Sequence, residues 1–182
     1  MREVPHGGVA RPRYAIVAGS FKVGYVVDSP GAMSVRHVYF AFHYKSDIWR
    51  VNQVRNSGLL FGARSVGFAD RSLWERAKTK GASALKKLIL DGLEGTSATV
   101  VLIGEETADR RWVRFELQES RDRGNALIGV RIHHLADQRG DASRRGRVPD
   151  LLREVGAPVY AWTAEAHDLG EWVEQAIDDQ CG

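Results

Sequence analysis

The sequence predicts an α/β chain, a parallel sheet covered by helices on both faces. Three observations carry this. Apolar runs alternate with amphipathic runs from residue 35 to the end of the chain. The clearest run, Thr99–Ile103, is apolar almost throughout, as a parallel strand buried on both faces must be. Five such strands fit in roughly 150 residues, which suggests the flavodoxin-like winding with strand order 2-1-3-4-5.

Taken in order, residues 1–34 stand apart. They hold Gly7, Gly8, Gly19 and Gly24 with Pro5, Pro12 and Pro30, and show no amphipathic period. They read as an N-terminal extension, a loose tail or a mis-assigned start, with Met33 as the expected natural first residue and 35–182 as the domain. Val35–Phe42, rich in β-branched and aromatic residues, reads as the first strand. Ser46-Asp47 open a helix over Ile48–Asn56 with Ile48, Val51 and Val54 on one side, and Gly58 ends it. Ala63–Phe68 reads as a weaker second strand, and Ala69–Lys80 as a polar, turn-like stretch. Leu85, Leu88, Ile89 and Gly92 repeat at helical spacing, and Gly95 closes that helix before the central strand.

After Gly104, Thr107 or Asp109 can cap a helix that carries Trp112, Val113, Phe115 and Leu117. At 100° per residue, with Trp112 at 0°, Val113 falls at about 100°, Leu117 at about 140° and Phe115 at about 300°. Glu116 falls at about 40°, inside the apolar arc. A lone carboxylate there is expensive to desolvate. Either an Arg or a backbone donor satisfies it, or the arc opens onto a pocket. Gly124 ends this helix, Ala126–Ile132 is the fourth strand, and His133-His134 follow it. Residues 135–156 form an Arg-rich connection with Arg139, Arg144, Arg145 and Arg147, expected to be solvated, with a short helix opened by Pro149. Pro158–Trp162 is a last short strand. Asp168 with Glu171 resembles a capping box before a helix marked by Leu169, Trp172, Val173, Ala176 and Ile177.

Composition narrows the function. The chain has 182 residues, is 43% hydrophobic and carries a formal charge of +3, which suits one domain with a real core. The first 34 residues hold four basic and two acidic groups, so the remainder has 22 basic and 21 acidic, a net of +1. That gives nucleic-acid binding no support. Cys181 is the one cysteine, which excludes an internal disulfide and fits a cytoplasmic protein. No apolar run approaches the roughly 18 residues of a membrane span. No Cys/His spacing resembles a zinc site, and His133 and His134, as strand neighbours, are expected to point to opposite faces. The Gly19–Gly24 stretch lacks the Gly-Lys-Ser/Thr of a phosphate loop, and no G-x-G-x-x-G follows the first strand.

In such sheets ligands bind beyond the carboxyl ends of the strands, at the switch between the first and third. That brings together Phe42–Asp47 and Gly104–Glu116. The segments VYFAFHYKSD, VNQVRNSG, FADRSL, TVVLIGEETADRRWVRFELQES and ALIGVRIHHL resemble the TIR-like domain of the Thoeris anti-phage defence proteins over about residues 35–135. The LIGEET and RWVRFE stretches carry most of the likeness. The resemblance implies a TIR-like three-layer sandwich and an enzyme that cleaves NAD⁺ between nicotinamide and ribose, releasing a cyclic or modified ADP-ribose. That product activates a separate effector protein. NAD⁺ is then substrate, no cofactor or metal is implied, and assembly into a homo-oligomer is expected. The family's catalytic glutamate falls on Glu116, the residue the helical arc singles out. Phe42, His43 and Trp112 are placed to contact the nucleotide. Asp70, Arg71 and Ser72 lie in the loop that borders the pocket in this family. A non-enzymatic scaffold module of the same fold is the alternative. A phospho-receiver would need an Asp at the end of the third strand, where this chain has Ile103-Gly104-Glu105-Glu106. A flavin-binding reading predicts a yellow protein.

Overall fold

The computed structural model describes residues 13–15, 22–29, 32–56, 71–163 and 169–181. The sheet they form runs β1 (Arg13–Ala15), β2 (Lys22–Ser29), β3 (Ala32–Phe42), β4 (Ala98–Ile103), β5 (Ala126–Arg131) and β6 (Val159–Ala161), side by side in that order. The strands β3, β4, β5 and β6 are parallel. They follow the expected order of the first, third, fourth and fifth predicted strands. The predicted second strand, 63–68, lies outside the described residues. The edge of β3 on which the expected order places it is taken, through Tyr39, by antiparallel β2. That pairing also lengthens β3 to Ala32, three residues before its expected start.

Register decides which side chains share a face. Tyr39, Thr99 and Leu127 form one row across β3, β4 and β5, whereas Phe42, Leu102, Val130 and Tyr160 form a row of the opposite parity. Thr99 Oγ1 donates to Ser120 Oγ at 2.8 Å, which places helix α4 (Arg111–Asp122) on the Tyr39 side. Tyr160 stacks on Trp172, centroids 4.2 Å apart, which places helix α6 (Leu169–Cys181) on the other side. The sheet is thus covered on both faces, and β4 is buried at every position.

Helices α1 (Tyr44–Asn56) and α3 (Ala82–Leu93) match expectation, with Val51, Val54, Leu85 and Ile89 in the core. Gly95 at φ 65° and Gly124 at φ 75° end α3 and α4 in the left-handed region that a side chain disfavours. The stretch expected to be turn-like is helical instead: α2 spans Arg71–Lys80. Its apolar stripe is narrow, Trp74 stacked on Tyr44 at 6.0 Å and buried Ala77 one turn later. The remaining Glu, Arg and Lys residues are good helix formers. A short helix, α5 (Asp150–Glu154), follows Pro149 as expected.

Candidate active site

Glu116 lies on the arc that the helical spacing gives it, beside buried Val113 and Leu117, and is 3% exposed. Among the described residues neither an Arg nor a backbone donor, the first of the two expected alternatives, satisfies it. Instead the hydroxyl of Tyr39 donates to Glu116 Oε1 at 2.8 Å, and Oε2 is buried with no hydrogen-bond partner. Burial pushes the carboxyl up to about 8, while the Tyr39 bond draws it back toward the ionised form. Burial, and next to it the charge of Glu116, pushes the Tyr39 phenol well above its ordinary range. Tyr39 was absent from the sequence reading. The available signal was a phenol inside an otherwise apolar strand, which needs a partner when buried.

The turn that leads into α4 is built by Thr107. It sits in a single 3₁₀ turn, Thr107–Asp109, and α4 starts at Arg111 with no side-chain cap. The expected cap by Thr107 or Asp109 is therefore not made. Thr107 Oγ1 accepts the Gly104 N–H at 2.9 Å and lies 3.4 Å from both Asp47 Oδ2 and the Leu102 carbonyl. Its hydroxyl is needed to close the strand onto the helix. Thr107→Val leaves the buried Gly104 N–H unpaired and is expected to lower stability by about 2 kcal/mol, read from urea unfolding.

Asp47 and Arg50 anchor the rim. Asp47 is 1% exposed, and burial raises its carboxyl to about 6 against the opposing pull of Arg50 and Thr107. Arg50, 3.5 Å from Asp47, donates to the carbonyls of Ser46 at 3.2 Å, Leu135 at 2.9 Å and Asp141 at 3.0 Å. Arg131 Nη1 donates to the Gly146 carbonyl at 2.9 Å, and the Arg144 N–H to Glu105 Oε2 at 3.2 Å. The Arg-rich connection is thus fastened across the carboxyl ends of β4 and β5. Its Arg139, Arg144 and Arg145 side chains are exposed, while Arg147 bridges Asp109 and Asp150.

The other predicted site residues separate. His43 is mostly buried, 3.5 Å from Glu106 Oε2. Burial and then the Arg110 charge hold its imidazole below the ordinary value, so it is neutral at pH 7. It sits four residues beyond Tyr39, roughly 13 Å along the strand axis. Phe42 ends β3 in the row opposite to Tyr39, so it faces away from the side that holds Glu116. Trp112, one turn before Glu116 on α4, meets Phe115 edge-on at 5.9 Å and carries the Arg111 guanidinium 5.3 Å from its ring centre. Asp70 lies outside the described residues. Arg71 and Ser72 open α2, and their side chains also lie outside the description. His133 and His134 are in a turn beyond β5, not on the strand, and their rings touch at 5.3 Å. The expected opposition of the two therefore fails, because the chain has already left the sheet. Among the described residues no three His, Cys, Asp or Glu side chains come together as a metal site. No described helix is long and apolar enough to cross a membrane.

An α/β sheet with a buried glutamate on the helix after its central strand is the frame of a TIR-like domain. The family model of the Thoeris protein ThsB, TIR-like domain, matches residues 39–137, and the chain belongs to that family. A Bacillus cereus (strain MSX-D12) protein named "Putative cyclic ADP-D-ribose synthase ThsB1" is 44% identical over 148 residues, covering 76% of this chain and 74% of that protein.

Proposed function

We propose that the chain cleaves the bond between nicotinamide and ribose in NAD⁺ and closes the remaining ADP-ribose into a cyclic product. The supporting observation is Glu116: a carboxylate held by one oxygen with the other unpaired, at a depth where an idle charge is costly. Its neutral form avoids that cost, and a carboxyl raised by burial supports the reading of a site tuned by its surroundings. The name of the Bacillus cereus relative supports the same reading.

The reaction asks little of the protein. The C–N bond breaks with its electron pair going to the pyridinium nitrogen, and nicotinamide departs neutral. No acid is needed at the leaving group, unlike ordinary glycoside cleavage. The ribose becomes an oxocarbenium ion. Glu116 stabilises that positive charge and holds the ribose hydroxyls. A nucleophilic oxygen or nitrogen of the same molecule then closes the ring and releases one proton. With the carboxyl raised to about 8 by burial, the ionised form of Glu116 is the minor fraction at pH 7. A cationic nicotinamide ring nearby draws the carboxyl downward and raises that fraction. His43 and Trp112 are the candidate contacts to the nucleotide beyond Glu116, with Asp70 and Ser72 as further candidates; Phe42, on the opposite face of the sheet, is not one of them. The released product serves as a signal to a separate effector protein, and NAD⁺ is substrate with no resident cofactor.

The test is NAD⁺ incubated with concentrated protein, with the products weighed by mass spectrometry. Free nicotinamide with an ADP-ribose lighter by one water supports cyclisation. The water adduct alone supports simple hydrolysis, and intact NAD⁺ in both buffer and phage-infected extract favours a scaffold.

A further inference from the structure

We infer that Tyr39 is a positioning residue of this reaction, its hydroxyl fixing one oxygen of the Glu116 carboxylate and leaving the other for the ribose. The inference rests on the reading of Glu116 as the catalytic carboxylate. Both side chains are buried, Tyr39 completely. The bond is 2.8 Å long and joins β3 to α4, 77 residues apart in sequence. The same turn of α4 is held from a second side. Thr99, beside Tyr39 in the sheet, donates to Ser120, and Ser120 donates to the Glu116 carbonyl at 2.7 Å. Backbone and carboxyl of Glu116 are thus tied to adjacent positions on adjacent strands, which holds the residue from two sides. Reaction geometry at a sugar centre depends on such positioning.

Most of the charged groups described on the elements around α4 are engaged elsewhere, and half-buried His37 on β3 and exposed Glu154 on α5 are the further titratable groups there. Lys86 on α3 lies over the Phe115 ring, and Lys87 pairs with Asp91. Arg131 on β5 holds Gly146. Asp150 and Arg153 on α5 pair with each other, and Asp109 before α4 pairs with Arg147. Among the described residues Tyr39 is the side chain that bonds the carboxyl; burial pushes Glu116 up and this hydroxyl opposes it. Removing the hydroxyl removes a bond that favours the charged form, and the carboxyl moves further up.

The experiment compares wild type, Tyr39→Phe and protein carrying 3-fluorotyrosine, whose phenol is a stronger donor. The ¹³C carboxyl signal of Glu116, assigned by its loss in Glu116→Gln, is followed against pH, and NAD⁺ turnover is followed over the same range. The midpoint in Tyr39→Phe is expected about one unit higher, with the rising limb of kcat/KM displaced alike. Fluorotyrosine, which keeps the packing, shifts both downward. Coincident midpoints in the three proteins overturn the proposal, however much the rate falls. Midpoints that differ among the three proteins while wild type leaves NAD⁺ intact in both buffer and phage-infected extract overturn Glu116 as catalyst, and with it the place of Tyr39 in the reaction.

Discussion

Glu116→Gln is expected to lower nicotinamide release by a factor of about 100 to 1,000 while the protein stays folded, because one preorganised charge at the developing cation is lost. The amide matches the neutral carboxyl in shape and can still accept from Tyr39. The substitution also changes how stability depends on pH, and the sign is fixed by the direction of the shift. The Glu116 carboxyl rises from 4.5 when unfolded to about 8 when folded. The folded state therefore holds its proton more tightly, and the stabilisation is complete below about 4.5. It is lost as pH rises through about 8, a change on the order of 4 kcal/mol. Glutamine has nothing to titrate. The melting temperature of wild type should fall relative to that of Glu116→Gln between pH 5 and 8.5. Asp47, raised to about 6 by burial, acts in the same direction, but it is present in both proteins and cancels in the difference. Melting curves that run parallel in the two proteins would show that Glu116 is not a buried, proton-holding group. Equal turnover in both would remove it as the catalyst.

Gly146→Ala is expected to destabilise the chain by about 3 kcal/mol or more, enough to leave little folded protein at 37 °C. A methyl group at this position would meet the Gly104 carbonyl oxygen at 2.0 Å and the Glu105 carbonyl oxygen at 2.7 Å. Both obstacles are backbone, so no side-chain rotation relieves the clash. The connection would have to lift from the end of β4, with loss of the Arg131 bond to the Gly146 carbonyl and strain on the neighbouring Arg144 contact to Glu105. Gly140 in the same connection is the control. Its Cβ would meet open space, though φ 89° carries a local strain of about 1 kcal/mol. Urea unfolding of the two variants should therefore separate clearly. Equal midpoints would mean that residues 141–147 are not packed on the strand ends.

The central strand and its helix were legible because their pattern is redundant. The run Thr99–Ile103 has no solvent face to disguise it, and Val113 and Leu117 bury the arc their spacing defines. Glu116 stood out because it breaks that pattern. Helix α2 was hidden for the opposite reason, since Trp74 and Ala77 are too few to outweigh the polar residues around them. The joint action of Thr107, Asp47 and Arg50 was hidden too, because the contacts that join Thr107 to Asp47 and Arg50 to Leu135 and Asp141 span tens of residues and leave no local spacing.

The sequence by itself determined the parallel run of strands, the helices that cover it, the family and the one carboxylate that its helix cannot bury cheaply. The strands, every covering helix but α2, and the carboxylate follow from local periodicity, which neighbouring residues carry among themselves, and the family follows from the motifs it resembles. Only the tertiary structure decided that Tyr39 holds Glu116, that Phe42 lies on the far face of the sheet, and that the Arg-rich connection is pinned over the strand ends. Those are matters of register between strands and of contacts across long separations. Shifting β3 by one residue would exchange the faces of Tyr39 and Phe42 without altering a letter of the chain.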